Sequence, residues 1–197
     1  LVLLYVGRIA PIKRLELLLE AGGWLSQIHP ELEFQIKIVG DAPEENADYK
    51  NRLLQLVGEL RIERKVHFLG GCGYLQIAHH FQRADLCFNG CPEGGLDKVM
   101  LEAMCCGIPV LTTNPALKHT WPSELGDGWF CSERDDTAVF GQKIVDWAKC
   151  PMRKSTGFKN KLRGSVRKHH DLNKLSGRLI SLFQKARNGS SEDCLHR

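Results

Sequence analysis

Gly7 and Arg8 come directly after an apolar run, LVLLYV, and Lys13 follows five residues later at the mouth of an apolar helical stretch. Two cations beside the first turn of a helix make an anion site, because the unpaired amides of that turn carry partial positive charge. A second stretch, CPEGGLDKVMLEAMCCGIPVL, sets Gly94 and Gly95 in front of another helix. Glycine there lets backbone approach a ligand and permits dihedrals that side chains forbid. The free amides of Leu96, Asp97, Lys98 and Val99 then open the helix and suit a phosphate that needs no metal. Glu102, one turn inside, has the reach to accept two hydrogen bonds from a vicinal diol such as a ribose. Each feature also has a plain reading: Arg8 and Lys13 as surface charges, Asp97 as a favourable first-turn charge, Glu102 as a solvated helix residue.

Apolar blocks supply the elements that must position these groups. LVLLYVG, EFQIKIVG, KVHFLG, DLCFNG and IPVLTT read as strands, and GWFCS as a weak one. RLELLLEAGGWLSQI, YKNRLLQLVGELR, YLQIAHHFQRA, KVMLEAMCCG and DDTAVFGQKIVDWAKC carry apolar residues at helical spacing. Gly107, with Pro109 beyond it, stops the fourth helix, and Asp135 or Asp136 opens the fifth. Strand and helix alternate with no hairpin dipeptide between strands, and the strands are apolar throughout. That predicts an α/β fold over residues 1–150: a doubly wound parallel, Rossmann-like sheet with right-handed crossovers and helices on both faces. Ligands of such sheets bind beyond the carboxyl ends of the strands. The rule selects three loops: GRIAPIK, GGCGY with Gly71 and Tyr74, and PEGGLDK with Glu93.

Residues 151–187 read as a basic stretch followed by an amphipathic helix marked by Leu172, Leu175, Leu179 and Phe183, and 188–197 as a frayed tail. From Trp147 to His170 there is no acidic residue. Such a run is ordinarily a solvated helix face; attraction to an anionic membrane is the sharper alternative. Nucleic acid is a poor partner, because only Phe158 interleaves with the cations. A nicotinamide cofactor is equally poor, since no Gly-x-Gly-x-x-Gly follows the first strand. The 43% hydrophobic and 25% charged residues suit a globular protein with a real core, and no apolar run approaches the roughly 20 residues of a membrane span. LVLLYV is too short for a signal peptide and lacks a basic leader. The chain opens on Leu1, directly in a strand, which predicts a piece of a longer protein. Its eight cysteines form no visible framework, and Cys87 and Cys91 with His79 and His80 match no standard zinc spacing. Reduced thiols in the cytoplasm, with at most peripheral contact at the inner membrane face, are the expectation. Asn188-Gly189-Ser190 then reads as a turn rather than a glycosylation site.

Four segments, YVGRIAPIKRLELLLEA, IKIVGDAPEE, VHFLGG and PEGGLDKVMLEAMCCGIPVLTT, occur in the order and separation seen in glycosyltransferase family 4. The chain resembles the carboxyl-terminal, donor-binding half of such a GT-B enzyme over residues 1–150, and LNKLSGRLISLF looks like that family's last helix. The resemblance implies that Arg8 and Lys13 grip the diphosphate of a nucleotide-sugar and that Glu102 holds its ribose. It implies amide contacts to sugar and diphosphate from Gly95, Leu96 and Asp97, and a base held near the turn from Gly70 to Tyr74. It also implies catalysis without a metal or other cofactor, the cations and helix N-terminus stabilising the departing diphosphate. One departure stands out: the family's first glutamate belongs eight residues before Glu102, where this chain has Gly94, with Glu93 one residue early. Either the loop bulges, or Asp97-Lys98 substitutes, or the sugar is held without that carboxylate. Arg14 also stands where the family often has glycine.

The expected function is therefore donor binding in a retaining hexosyltransferase. It would use a UDP- or GDP-linked sugar and a glycan or lipid-linked acceptor, as in polysaccharide biosynthesis. The amino-terminal acceptor domain is missing, so the chain by itself should transfer nothing. The alternative is a catalytically silent nucleotide-sugar-binding or regulatory module.

Overall fold

Five short strands form one sheet: β1 (Val2–Val6), β2 (Gln35–Val39), β3 (Val66–Gly70), β4 (Leu86–Asn89) and β5 (Val110–Thr112). Their order is β3-β2-β1-β4-β5, and every neighbouring pair is parallel. The computed structural model describes residues 1–92, 95–126, 129–131 and 136–187. Helices α1 (Leu15–Ile28), α2 (Ala47–Glu59), α3 (Tyr74–Gln82), α4 (Lys98–Cys105) and α5 (Thr137–Lys149) follow successive strands or loops, and α6 (Thr156–His170) and α7 (Leu172–Arg187) close the described chain. The order runs outward from β1 one way and from β4 the other. β1 and β4 therefore flank the topological switch point, where a crevice opens at the carboxyl ends of the strands.

The two central strands are the most apolar because helices cover both their faces. Leu3, Leu4 and Tyr5 of β1 and Leu86, Cys87 and Phe88 of β4 are all buried, and burial drives the Cys87 thiol pKa up, so it stays neutral. Two-sided burial fails on the other side of the sheet, where β2 exposes Gln35 and the edge strand β3 is partly open. Of the segment GWFCS, the described residues 129–131 form a single parallel bridge, between Thr112 and Phe130. Close contact, rather than flexibility, explains two helical glycines. A carbon added at Gly22 would stand 2.7 Å from Ile36, and one at Gly141 would stand 2.2 Å from the Trp24 ring, so α1 lies directly on the sheet and α5 directly on α1.

Capping sets the helix starts. Asp136 accepts from the Val139 amide at 3.0 Å and Ser155 from the Phe158 amide at 3.3 Å, opening α5 and α6. Asp135 lies outside the described residues. α6 buries Phe158, Leu162 and Val166 at a four-residue spacing, so one face of the basic stretch is core. Two of its cations are structural: Arg163 donates to the Cys105 and Cys106 carbonyls at 3.0 and 3.1 Å, and Arg153 reaches Asp85 at 3.4 Å. Among the described residues Cys72, Cys87, Cys105, Cys106 and Cys150 are free thiols, no three His, Cys, Asp or Glu converge as a metal site, and no helix is long and apolar enough to cross a membrane.

Candidate active site

The loop after β1 is fixed by backbone and by glycine. Gly7, at φ +150°, donates to the Val39 carbonyl at 2.9 Å, and a carbon on Gly40 would fall 1.9 Å from the Gly7 carbonyl oxygen. Only glycine lets these two loops meet so closely. Asp41 then ties three strand ends together: its carbonyl accepts from Ile9 and its carboxylate from Gly71, both at 2.9 Å. The Tyr5 hydroxyl donates to the Arg8 carbonyl at 2.6 Å. Burial, and next the Asp97 carboxylate, raise that phenol's pKa and keep it a donor. The Arg8 guanidinium is exposed and has no ion pair or hydrogen bond among the described residues.

Lys13 ends a short 3-10 turn, Pro11–Lys13, and its carbonyl packs where a carbon on Gly90 would be 2.8 Å away. The loops after β1 and β4 are thus in direct contact. The Lys13 ammonium lies 2.6 Å from Asp97 Oδ2, which also accepts from Asn89 Nδ2 at 3.2 Å. Asn89 ends β4, and its other amide atom, Oδ1, accepts from the Thr112 hydroxyl of β5 at 3.3 Å. That hydroxyl takes the Asn114 amide at 2.9 Å, and the Asn114 side chain donates to the Gly95 carbonyl at 3.4 Å. A buried chain of amides and hydroxyls therefore runs beneath the crevice and orients Asp97 at the N-cap of α4. Asp97 makes no side-chain cap to its own helix.

Lys13, Gly95, Asp97 and the first turn of α4, with Lys98 exposed and Leu96 and Val99 half-buried, meet at the ends of β1 and β4. Gly7 and Arg8 stand on the same loop. Glu102 is half-buried one turn further; burial first, and Asp97 second, raise its pKa against a smaller opposite pull from Lys98. Gly71 and Tyr74 lie at the end of β3 on the same edge of the sheet, separated from β1 by β2, and Tyr74 is 73% exposed. Glu93 and Gly94 lie outside the described residues. A carbon added at Gly95 would meet nothing within 4 Å, so that position faces open space. Asp41, Asn89, Thr112 and Asn114 escaped the sequence reading, although each is a polar residue at or just past the end of an apolar strand.

A doubly wound α/β sheet with cations and a helix N-terminus gathered at its switch point defines a Rossmann-like domain of the GT-B kind. The family described as "Glycosyl transferases group 1" matches residues 1–149, and the chain belongs to it. N-acetyl-alpha-D-glucosaminyl L-malate synthase of Bacillus anthracis is 30% identical over 149 residues, covering 73% of this chain and 35% of that protein. D-inositol 3-phosphate glycosyltransferase of Geodermatophilus obscurus is 34% identical over 112 residues, covering 56% of this chain and 25% of that one. Among solved structures, HepE of Anabaena in complex with UDP-glucose matches with a TM-score of 0.78 at 21% identity, over 93% of this chain and 48% of its own. The chain spans between a quarter and about a third of those two relatives and about half of that structure.

Proposed function

We propose that this chain is the donor-binding domain of a retaining, metal-independent glycosyltransferase. The sugar would come from a UDP- or GDP-linked donor and go to a glycan or lipid-linked acceptor. The observation that carries the reading is the meeting of Lys13 with the opening of α4 at the ends of β1 and β4. A diphosphate set there lies against an ammonium, the neighbouring Arg8 and the first amides of α4. These groups stabilise the charge that develops as the sugar leaves, and so take the part a metal plays elsewhere. Glu102 accepts from the ribose hydroxyls, and the base lies toward Gly71 and Tyr74. The UDP-glucose bound by HepE and the sugar transferases among the relatives support this assignment.

The acceptor site belongs to the missing part of the parent chain, for which the exposed apolar face of α7 is the natural contact. The chain alone therefore binds donor and transfers nothing. The exposed cations of α6 and α7 support peripheral contact with an anionic membrane. Co-sedimentation with phosphatidylserine vesicles at low salt, reversed by moderate salt, is the expected result; no sedimentation at low salt removes this contact.

Calorimetric titration with UDP, GDP and ADP tests the site itself. Arg8→Ala and Glu102→Ala are each expected to weaken the preferred nucleotide by about 1.5–3 kcal/mol. Unchanged affinity in both variants places the pocket elsewhere. Position 94, glycine where the family keeps a glutamate, favours a second reading as a silent binding module; a transfer assay on the full-length parent separates the two.

A further inference from the structure

The anion site already contains an anion. Asp97 Oδ2 sits 2.6 Å from the Lys13 ammonium, and Asp97 leaves the amides of its own helix uncapped to reach it. An aspartate at an N-cap ordinarily accepts from those amides. The geometry points to Asp97 as an internal competitor for Lys13, which a bound diphosphate must displace from the ammonium. This rests on the donor-site reading and adds a specificity-determining residue to it.

Which partner moves follows from how each is held. Asp97 is anchored by the Asn89 amide, and the buried Asn89 is fixed in turn by the Thr112 hydroxyl, which leaves its Nδ2 free only to donate toward Asp97. Among the described residues Lys13 is held at its head group by Asp97 alone, on a flexible four-carbon stem. The ammonium therefore swings from the carboxylate to the phosphate, while Asp97 stays on Asn89. The exchange trades one charge pair for another, so a lone small anion gains little by entering. A nucleoside diphosphate gains the α4 amides, Arg8 and Glu102 as well, and the exchange selects for it.

The test is a double-mutant cycle on the 197-residue chain, titrated with UDP and with inorganic pyrophosphate. Asp97→Asn keeps the shape and removes the charge, and is expected to bind both probes about tenfold tighter, as the loss of one close charge predicts. Lys13→Ala is expected to weaken both, and adding Asp97→Asn to Lys13→Ala to recover less than about twofold. Asp97→Ser serves as a second neutral variant should the asparagine melt early. Weaker binding by Asp97→Asn, or an equal gain with and without Lys13, overturns the exchange and leaves the donor site standing. If neither probe binds any variant, the donor-site reading falls and the exchange with it.

Discussion

Glu102 is raised in pKa by burial and by Asp97, so between the ordinary and the raised value the folded chain holds a proton that the unfolded chain releases. The stability it contributes is complete below the ordinary glutamate pKa and is lost as pH rises through the raised one. Glu102→Gln is accordingly expected to melt slightly later at neutral pH. The gain is well under about 1 kcal/mol, because solvent screens a half-exposed carboxylate. The same variant is expected to bind nucleotide more weakly, since the amide offers one acceptor where the carboxylate offers two. A melting curve and a titration on one preparation check both signs, and a variant that is both less stable and equally tight in binding removes this role. For the native residue, nucleotide affinity should fall with acidification at a pH above that expected of an ordinary glutamate. Arg8, Lys13 and Asp97 stand out in the sequence because each is a charge in a loop that follows an apolar strand and a glycine, and Glu102 because it sits inside the helix such a loop opens. Asn89 and Asp41 do not. A polar residue that ends an apolar strand looks the same whether it merely stops the strand or, like Asn89, orients a neighbour through both halves of its amide.

At the scale of elements, α4 is the part on which the site depends, and it is held from its far end. Arg163 of α6 donates to the carbonyls of Cys105, the last residue of α4, and of Cys106 just past it, pairing a cation with the negative end of the helix dipole. Arg163→Ala is expected to cost about 1–3 kcal/mol in denaturant unfolding, the range for hydrogen bonds from a charged donor. A cost near zero would mean that water replaces the guanidinium without loss. The start of α1 shows the opposite balance. Arg14 has φ +49° and ψ +48°, a left-handed conformation, which accounts for glycine at this position in the family. Arg14→Gly is expected to stabilise the chain by about 1 kcal/mol, less the entropy that glycine adds to the unfolded state. The strands and helices were readable because two-sided burial leaves apolar runs and helices leave a four-residue rhythm. The basic run was only half readable. Phe158, Leu162 and Val166 carry the rhythm of a packed helix, but nothing in the sequence says that Arg163 serves α4 rather than solvent.

Across the whole molecule, charge and order divide between the sheet and the final helices. Residues 151–187 carry eleven Lys and Arg against one acid, Asp171, although the entire chain is only +4. Within that segment α6 and α7 differ physically. α6 buries Leu162 completely against the rest of the fold, so Leu162→Ala is expected to cost about 2–5 kcal/mol. On α7, by contrast, Leu172, Leu175, Leu179, Ile180, Leu182 and Phe183 are all between 44% and 73% exposed. A sixteen-residue helix without tertiary packing is marginal in water, so α7 is expected to be only loosely ordered in the 197-residue chain. The chain should then behave as a stable sheet domain with a loosely ordered last helix. Amide hydrogen exchange is then expected to be slowest in β1 and β4 and fast throughout α7. Ending the chain after Asp171 should shift the melting temperature by no more than about 1 °C, against the roughly 2–4 °C that each lost kcal/mol takes from a domain of this size. Slow exchange in α7, or a large drop on removing it, would mean that the helix packs on this domain after all. Its apolar face would then not be available to a second one.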